Sequence, residues 1–136
     1  MKITKKLITL ASAATLTFAA ITLPVHADPP PYTVTNGNQL DANSYKGFKL
    51  YRNWCARCHG TYGQGMVGPN LADSLNIISK AEFFRIVKNG KAGTIGSMPP
   101  WKSNAKVMEG RDQLYSYLKA RADGAIGVEK PKKAKK

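Results

Sequence analysis

Apolar positions along this chain fall into one long run, three stretches of helical spacing and two glycine-rich gaps. Leu7 to Leu23 is a nearly unbroken apolar run, preceded by the basic segment Met1–Lys6 and followed by Val25-His26-Ala27. A basic start, an apolar middle and a small-x-small end form a secretory signal peptide over residues 1–27, cleaved after Ala27. The competing reading is a retained membrane anchor, but so much Ala and Thr makes a marginal span. Residues 28–43 follow as an extended arm: Asp28-Pro29-Pro30-Pro31 favours polyproline geometry, and the polar remainder carries a turn signal at Asn36-Gly37. From about Ser44 the pattern turns helical. Tyr45, Phe48 and Tyr51 recur every three residues between Lys46, Lys49 and Arg52, with Leu50 and Trp54 adding apolar mass. Gly47 costs about 1 kcal/mol against Ala in a helix interior. It is tolerable where another helix crosses close by.

Gly60 to Leu71 holds four glycines and a proline, which predicts irregular backbone able to approach a flat group closely. An ordinary flexible loop has the same composition. Ser79-Lys80-Ala81-Glu82 reads as a capping box opening a helix through Phe83, Ile86 and Val87, closed at Asn89-Gly90. A second loop runs from Lys91 to Pro100. A last helix spans roughly Lys106 to Arg121, with Leu114, Tyr117 and Leu118 on one face and Gly124 as its stop. No alternating strand pattern and no internal repeat appears. The expectation is an all-α domain over residues 44–122 with three main helices, followed by a basic tail over 123–136.

Charge and cysteine count narrow the picture. The chain has 136 residues, two cysteines and a formal charge of +13. Cleavage after Ala27 leaves 109 residues, enough for one small domain. It also removes Lys2, Lys5 and Lys6, leaving 18 basic against 8 acidic side chains, a formal +10. No second apolar stretch approaches membrane-spanning length, so the exported product is expected to be free of stable membrane insertion; a monomer is the expected state. Nucleic acid is a poor partner for an exported protein; an acidic protein or an anionic surface suits the charge better. The lysines at 130, 132, 133, 135 and 136 read first as a solvated tail.

The chemistry concentrates in Cys55-Ala56-Arg57-Cys58-His59. This C-x-x-C-H spacing is the signature of covalent haem attachment. On one helical turn Cys55, Cys58 and His59 can all face one flat ring, the thiols adding to its vinyl groups and the imidazole binding its iron. A structural zinc site wants four Cys/His ligands. The other histidine, His26, leaves with the signal, so the fourth is missing. A thioredoxin-like C-x-x-C belongs to a βαβ unit, which is absent. Trp54, Tyr62 and Trp101 read as packing, with Trp101 also placed to cover a haem face.

With these residues in view, the chain resembles a small class I cytochrome c. In that family a glycine and an aromatic precede the first haem cysteine by eight and four residues, here Gly47 and Tyr51. They cross a C-terminal helix bearing a leucine, an aromatic and a leucine, here Leu114, Tyr117 and Leu118. The resemblance also implies that the carbonyl of Pro69, in Gly68-Pro69, receives the ring N–H of His59. It further implies that Met98, in Met98-Pro99, is the second axial ligand. One haem c per chain follows, held by Cys55 and Cys58, with iron between His59 and Met98. Met66, Met108, a lysine and an empty position remain the rivals to Met98. Paired ligands leave no site for substrate, so the resemblance implies a one-electron carrier rather than an enzyme. The stretch from Val107 to Gly127 is similar to periplasmic cytochromes that accept electrons from quinoprotein alcohol or methanol dehydrogenases, which use pyrroloquinoline quinone, and pass them to an oxidase. A general carrier between a quinol-oxidising complex and an oxidase is the alternative. An open-site haem enzyme or sensor is a third.

Overall fold

The computed structural model describes residues 28–135. The signal segment expected over residues 1–27 lies outside the described residues. In chain order the elements are β1 (Val34–Thr35), β2 (Gln39–Leu40), α1 (Ala42–Trp54), α2 (Ala56–His59), α3 (Leu71–Leu75), α4 (Lys80–Asn89), β3 (Lys91–Ala92), β4 (Ser97–Met98), α5 (Ala105–Glu109), α6 (Arg111–Ala122) and β5 (Lys132–Lys133). The three long ones, α1, α4 and α6, are the expected main helices. The strands have two residues each and tie loops together without forming a layer.

The helix α1 starts at Ala42, earlier than Ser44, because Asp41 caps it. The Asp41 carboxylate accepts from Asn43 N at 2.9 Å, Ser44 N at 3.0 Å and the Ser44 hydroxyl at 2.6 Å. Burial works against this charge, but the Ser44 hydroxyl and the N–H groups of Thr33, Ser44 and Asn43 outweigh it and hold its pKa below the usual carboxylate value. A depressed folded pKa stabilises the fold above the unfolded value of 3.8 and stops doing so as pH falls through the folded one. Asp41→Ala should therefore lose about 0.5–2 kcal/mol at neutral pH. Thermal melts of the haem-loaded protein should show the gap to wild type closing as pH falls from 3.8 through the depressed folded value. A gap that persists there would mean that geometry, not charge, makes the cap.

The α1 and α6 helices cross at their apolar faces, and this contact is the centre of the core. Phe48 and Tyr51 from α1 meet Leu114, Tyr117 and Leu118 from α6, all at most 5 % exposed. The Tyr51 and Tyr117 rings lie 5.4 Å apart, and Phe48 meets Tyr117 edge-on at 5.3 Å. Each buried leucine or phenylalanine contributes about 1.5–3 kcal/mol. The α4 helix closes the other side with buried Phe83, Ile86 and Val87.

Four departures from the sequence reading have identifiable contacts behind them. The last helical stretch breaks at Gly110 into α5 and α6, where Leu50 presses so close that a Cβ would lie 2.4 Å from its Cδ2. The capping box at Ser79 is half made: Ser79 Oγ accepts from Glu82 N at 3.2 Å. The Glu82 carboxylate instead takes two bonds from Arg85, at 2.7 and 2.6 Å, a charged pair stronger than a backbone N–H. The basic tail does not project freely. Its β5 strand pairs parallel to β2, Lys132 N donating to Asn38 O at 2.9 Å and Ala134 N to Leu40 O at 2.8 Å, while Pro131 is buried. The arm itself folds back at Asn36-Gly37, both in positive φ, as the antiparallel pair β1–β2.

Candidate functional site

The C-terminal end of α1 delivers Cys55, and the single turn α2 carries Cys58 and His59. Both Cys58 N and His59 N donate to the Cys55 carbonyl at 3.1 Å, which fixes the three side chains on one turn. Cys58 is exposed, Cys55 is partly covered and His59 is 7 % exposed. Burial, with the Cys58 sulfur adding to it, pushes the Cys55 thiol up to about 12.

The imidazole is held from behind. His59 Nδ1 lies 2.9 Å from the carbonyl oxygen of Pro69. A carbonyl only accepts, so Nδ1 carries the proton and Nε2 keeps its lone pair for a metal. Gly68 makes the approach feasible: a Cβ there would sit 2.8 Å from Cε1 and 2.9 Å from Nδ1 of the ring. The loop from Gly60 to Asn70 is not a loose connection. Gly65 N donates to His59 O, Gly68 N to Cys58 O and Leu71 N to Gly63 O, each at 2.8 Å. Gly60, Gly63 and Gly65 take positive φ to allow it.

Two further anchors tie this loop to the core. The hydroxyl of Tyr51 donates to Gly60 O, and that of Tyr117 to Tyr62 O at 3.3 Å. Burial raises the pKa of both phenols, so both remain donors. Arg121 is the residue that sequence reasoning missed. It is 7 % exposed and forms no ion pair among the described residues; its Nε donates to Tyr62 O at 2.9 Å and its Nη1 to Ile126 O at 2.8 Å. Nothing in the periodicity of α6 distinguishes it from a solvated helix-end arginine.

The Met98 segment returns along α4. Strands β3 and β4 pair with Lys91 opposite Met98, Gly93 N donates to Gly96 O at 2.7 Å, and Trp101 N to Val87 O at 3.1 Å. Gly90 leaves room for it, since a Cβ there would lie 2.5 Å from Met98 O. Met98 is half-buried against the core, whereas Met66 is 65 % exposed and Met108 lies within the short α5. Trp101 meets Trp54, the neighbour of Cys55, edge-on at 5.7 Å. Between these tryptophans and Pro100–Lys106 runs a groove of about 510 Å³. Two thiols and an imidazole on one turn suit a flat, covalently held, iron-bearing macrocycle.

The fold and this motif define a small single-haem redox protein. The chain belongs to the c-type cytochromes: a family model described as cytochrome c oxidase, cbb3-type, subunit III, matches residues 42–118. It is 42 % identical over 97 residues to cytochrome c-555 of Methylococcus capsulatus, covering 68 % of this chain and 76 % of that one. It is 30 % identical over 111 residues to cytochrome c-553I of Paracoccus denitrificans, 78 % of this chain and 49 % of that one. Among solved structures, the c-type cytochrome XoxG of Methylobacterium extorquens AM1 superposes with a TM-score of 0.71 at 39 % identity, covering 77 % of this chain and 67 % of that one. The protein is thus an electron carrier with one haem c bound through Cys55 and Cys58. Among the described residues no helix is long and apolar enough to cross a membrane.

Proposed function

We propose that this cytochrome is a periplasmic carrier that takes single electrons from a quinoprotein alcohol or methanol dehydrogenase and delivers them to a terminal oxidase, with His59 and Met98 as axial ligands. The haem supplies the one-electron couple. The chain's own residues hold His59 in one tautomer through Pro69, and bring Met98 on a braced loop. With both positions filled the protein performs no bond chemistry of its own and is not an enzyme. The observation that carries the donor assignment is the closing stretch from Val107 to Gly127, similar to dehydrogenase-linked cytochromes. The likeness to the c-type cytochrome XoxG over 77 % of the chain supports the single-haem carrier on which that assignment builds. Periplasmic residence rests on the basic-apolar-small order of residues 1–27.

The test is reduction of the oxidised holoprotein by a quinoprotein methanol dehydrogenase supplied with methanol, followed by stopped-flow absorbance. A formal +10 on the mature chain predicts steered association with an acidic dehydrogenase face. The second-order rate should then fall steeply as the Debye length shrinks from about 30 Å at 0.01 M salt to about 10 Å at 0.1 M. No electron transfer at any salt would sink the dehydrogenase assignment and leave a general carrier between a quinol-oxidising complex and an oxidase.

A further inference from the structure

The cationic surface is not uniform. A cleft of about 370 Å³ opens between the outer face of α1 and the start of the C-terminal tail. Its floor is aromatic: Phe48 lies 5.9 Å from Tyr45 and stacks on Tyr62 at 6.5 Å. Its rim is positive, made of Lys49 and Arg52 from α1 and Lys130 from the tail. The pairing of β5 with β2 is what carries Lys130 across to α1, so residues 78 or more positions apart in sequence form one site.

None of these three cations enters an ion pair among the described residues, and Arg52 Nη1 donates to Thr61 O at 3.2 Å. The ion pairs among the described residues are Lys80–Asp112, Arg85–Glu82 and Lys119–Asp123, and none involves the cleft. The acids closest in sequence to the rim are engaged elsewhere. Asp41 caps α1, and Glu129 accepts from Asn38 at 3.2 Å. Three like charges around a concave aromatic floor raise the local potential and favour an anionic group that can also bury carbon.

We propose that this cleft is the docking site for an acidic segment of a protein partner, one that inserts carboxylate side chains between Lys49, Arg52 and Lys130 over the aromatic floor. The inference rests on the dehydrogenase reading for the partner's identity, not for the chemistry of the cleft. The concave shape decides between a protein and an anionic membrane. Lipid headgroups present a plane, and proteins bind it with flat basic faces and protruding apolar residues, whereas a side chain fits a cleft of this volume. The cleft adjoins the C-terminal turn of α1, the helix that leads into the haem-binding motif, since Asn53 borders it.

The test uses the full mature holoprotein with Lys49→Glu and Lys130→Glu together; neither lysine enters an ion pair among the described residues. The rate of reduction by the dehydrogenase at low salt should fall at least about ten-fold and lose most of its salt dependence. The absorption spectrum and the rate with an uncharged small reductant should not change. The control, Lys132→Glu with Lys133→Glu on β5, should slow the reaction no more than about two-fold. Equal slowing in both variants, or none in the first, overturns the docking site while leaving the dehydrogenase reading intact. A glutamate-rich peptide titrated into ¹⁵N-labelled holoprotein tests the cleft without the dehydrogenase. The amides of Tyr45, Lys49, Arg52 and Tyr62 should shift, and absence of shifts overturns the proposal even if the enzyme reduces the cytochrome. Vesicles of anionic phospholipid that shift the same amides when the peptide does not would assign the surface to a membrane and also overturn it.

Discussion

Replacing Met98 with alanine should abolish the weak near-infrared band of sulfur-to-iron charge transfer in the oxidised protein. It should also lower the midpoint potential by a sizeable part of the roughly 0.8 V range over which axial ligands set haem potentials. A thioether is a soft donor that favours Fe(II), so its removal stabilises the oxidised state. The proposal of Met98 over its rivals rests on which loop carries each methionine. Met66 lies on the loop whose flanking N–H groups, Gly65 and Gly68, are bound to His59 O and Cys58 O. That loop serves the histidine side, and Met66 would have to pass around the ring edge to reach the other. Met98 comes from a separate loop braced by the β3–β4 pair and by Trp101 N on Val87 O. Met66→Ala should therefore keep both band and potential. The reverse pattern would identify the wrong methionine, and ready binding of carbon monoxide by the wild type would show an open iron. Met98→His is a useful companion: a nitrogen ligand should restore low-spin spectra without the sulfur band, while the potential stays low.

The parts of this molecule that the sequence makes legible are those governed by short-range spacing. C-x-x-C-H is one helical turn, and its ligand geometry is local. The helix faces of Phe83, Ile86 and Val87, or of Leu114, Tyr117 and Leu118, follow from a 3.6-residue period and are buried accordingly. What stayed hidden depends on contacts between distant segments. Strand pairing of two residues leaves no periodic trace, so the β2–β5 and β3–β4 pairs could not be read from alternation. For the same reason the lysine tail reads as a solvated run, although Pro131 is buried and the backbone of Lys132 is hydrogen-bonded. Arg121 was invisible for a different reason: a buried arginine is identified by its acceptors, and the carbonyls of Tyr62 and Ile126 carry no side-chain signature. Glycines were legible as backbone freedom but not as contact. Only the fold shows that Gly68 faces the His59 ring and Gly110 faces Leu50.

Gly47→Ala sets two expectations of opposite sign against each other. Helix propensity alone favours Ala over Gly by about 1 kcal/mol in a helix interior. Packing opposes it: a Cβ at position 47 would lie 1.8 Å from the carbonyl oxygen of Gln113, 2.4 Å from its carbonyl carbon and 3.0 Å from Leu114 N. Those are backbone atoms of α6 and have no rotamer with which to yield. The helices must separate instead, and the aromatic contacts of Tyr51 and Phe48 with Tyr117 separate with them. Overpacking of side chains costs about 1–3 kcal/mol, and a backbone collision at the central crossing belongs at or above the upper end. Against a total of about 5–15 kcal/mol for a domain, Gly47→Ala should markedly lower the urea midpoint of the holoprotein. Gly47→Val should prevent accumulation of folded protein. Gly96→Ala is the matched control, because nothing lies within 4 Å of its Cβ position, and it should change stability by less than about 0.5 kcal/mol. A Gly47→Ala protein as stable as the wild type would mean that α1 and α6 do not cross at backbone contact.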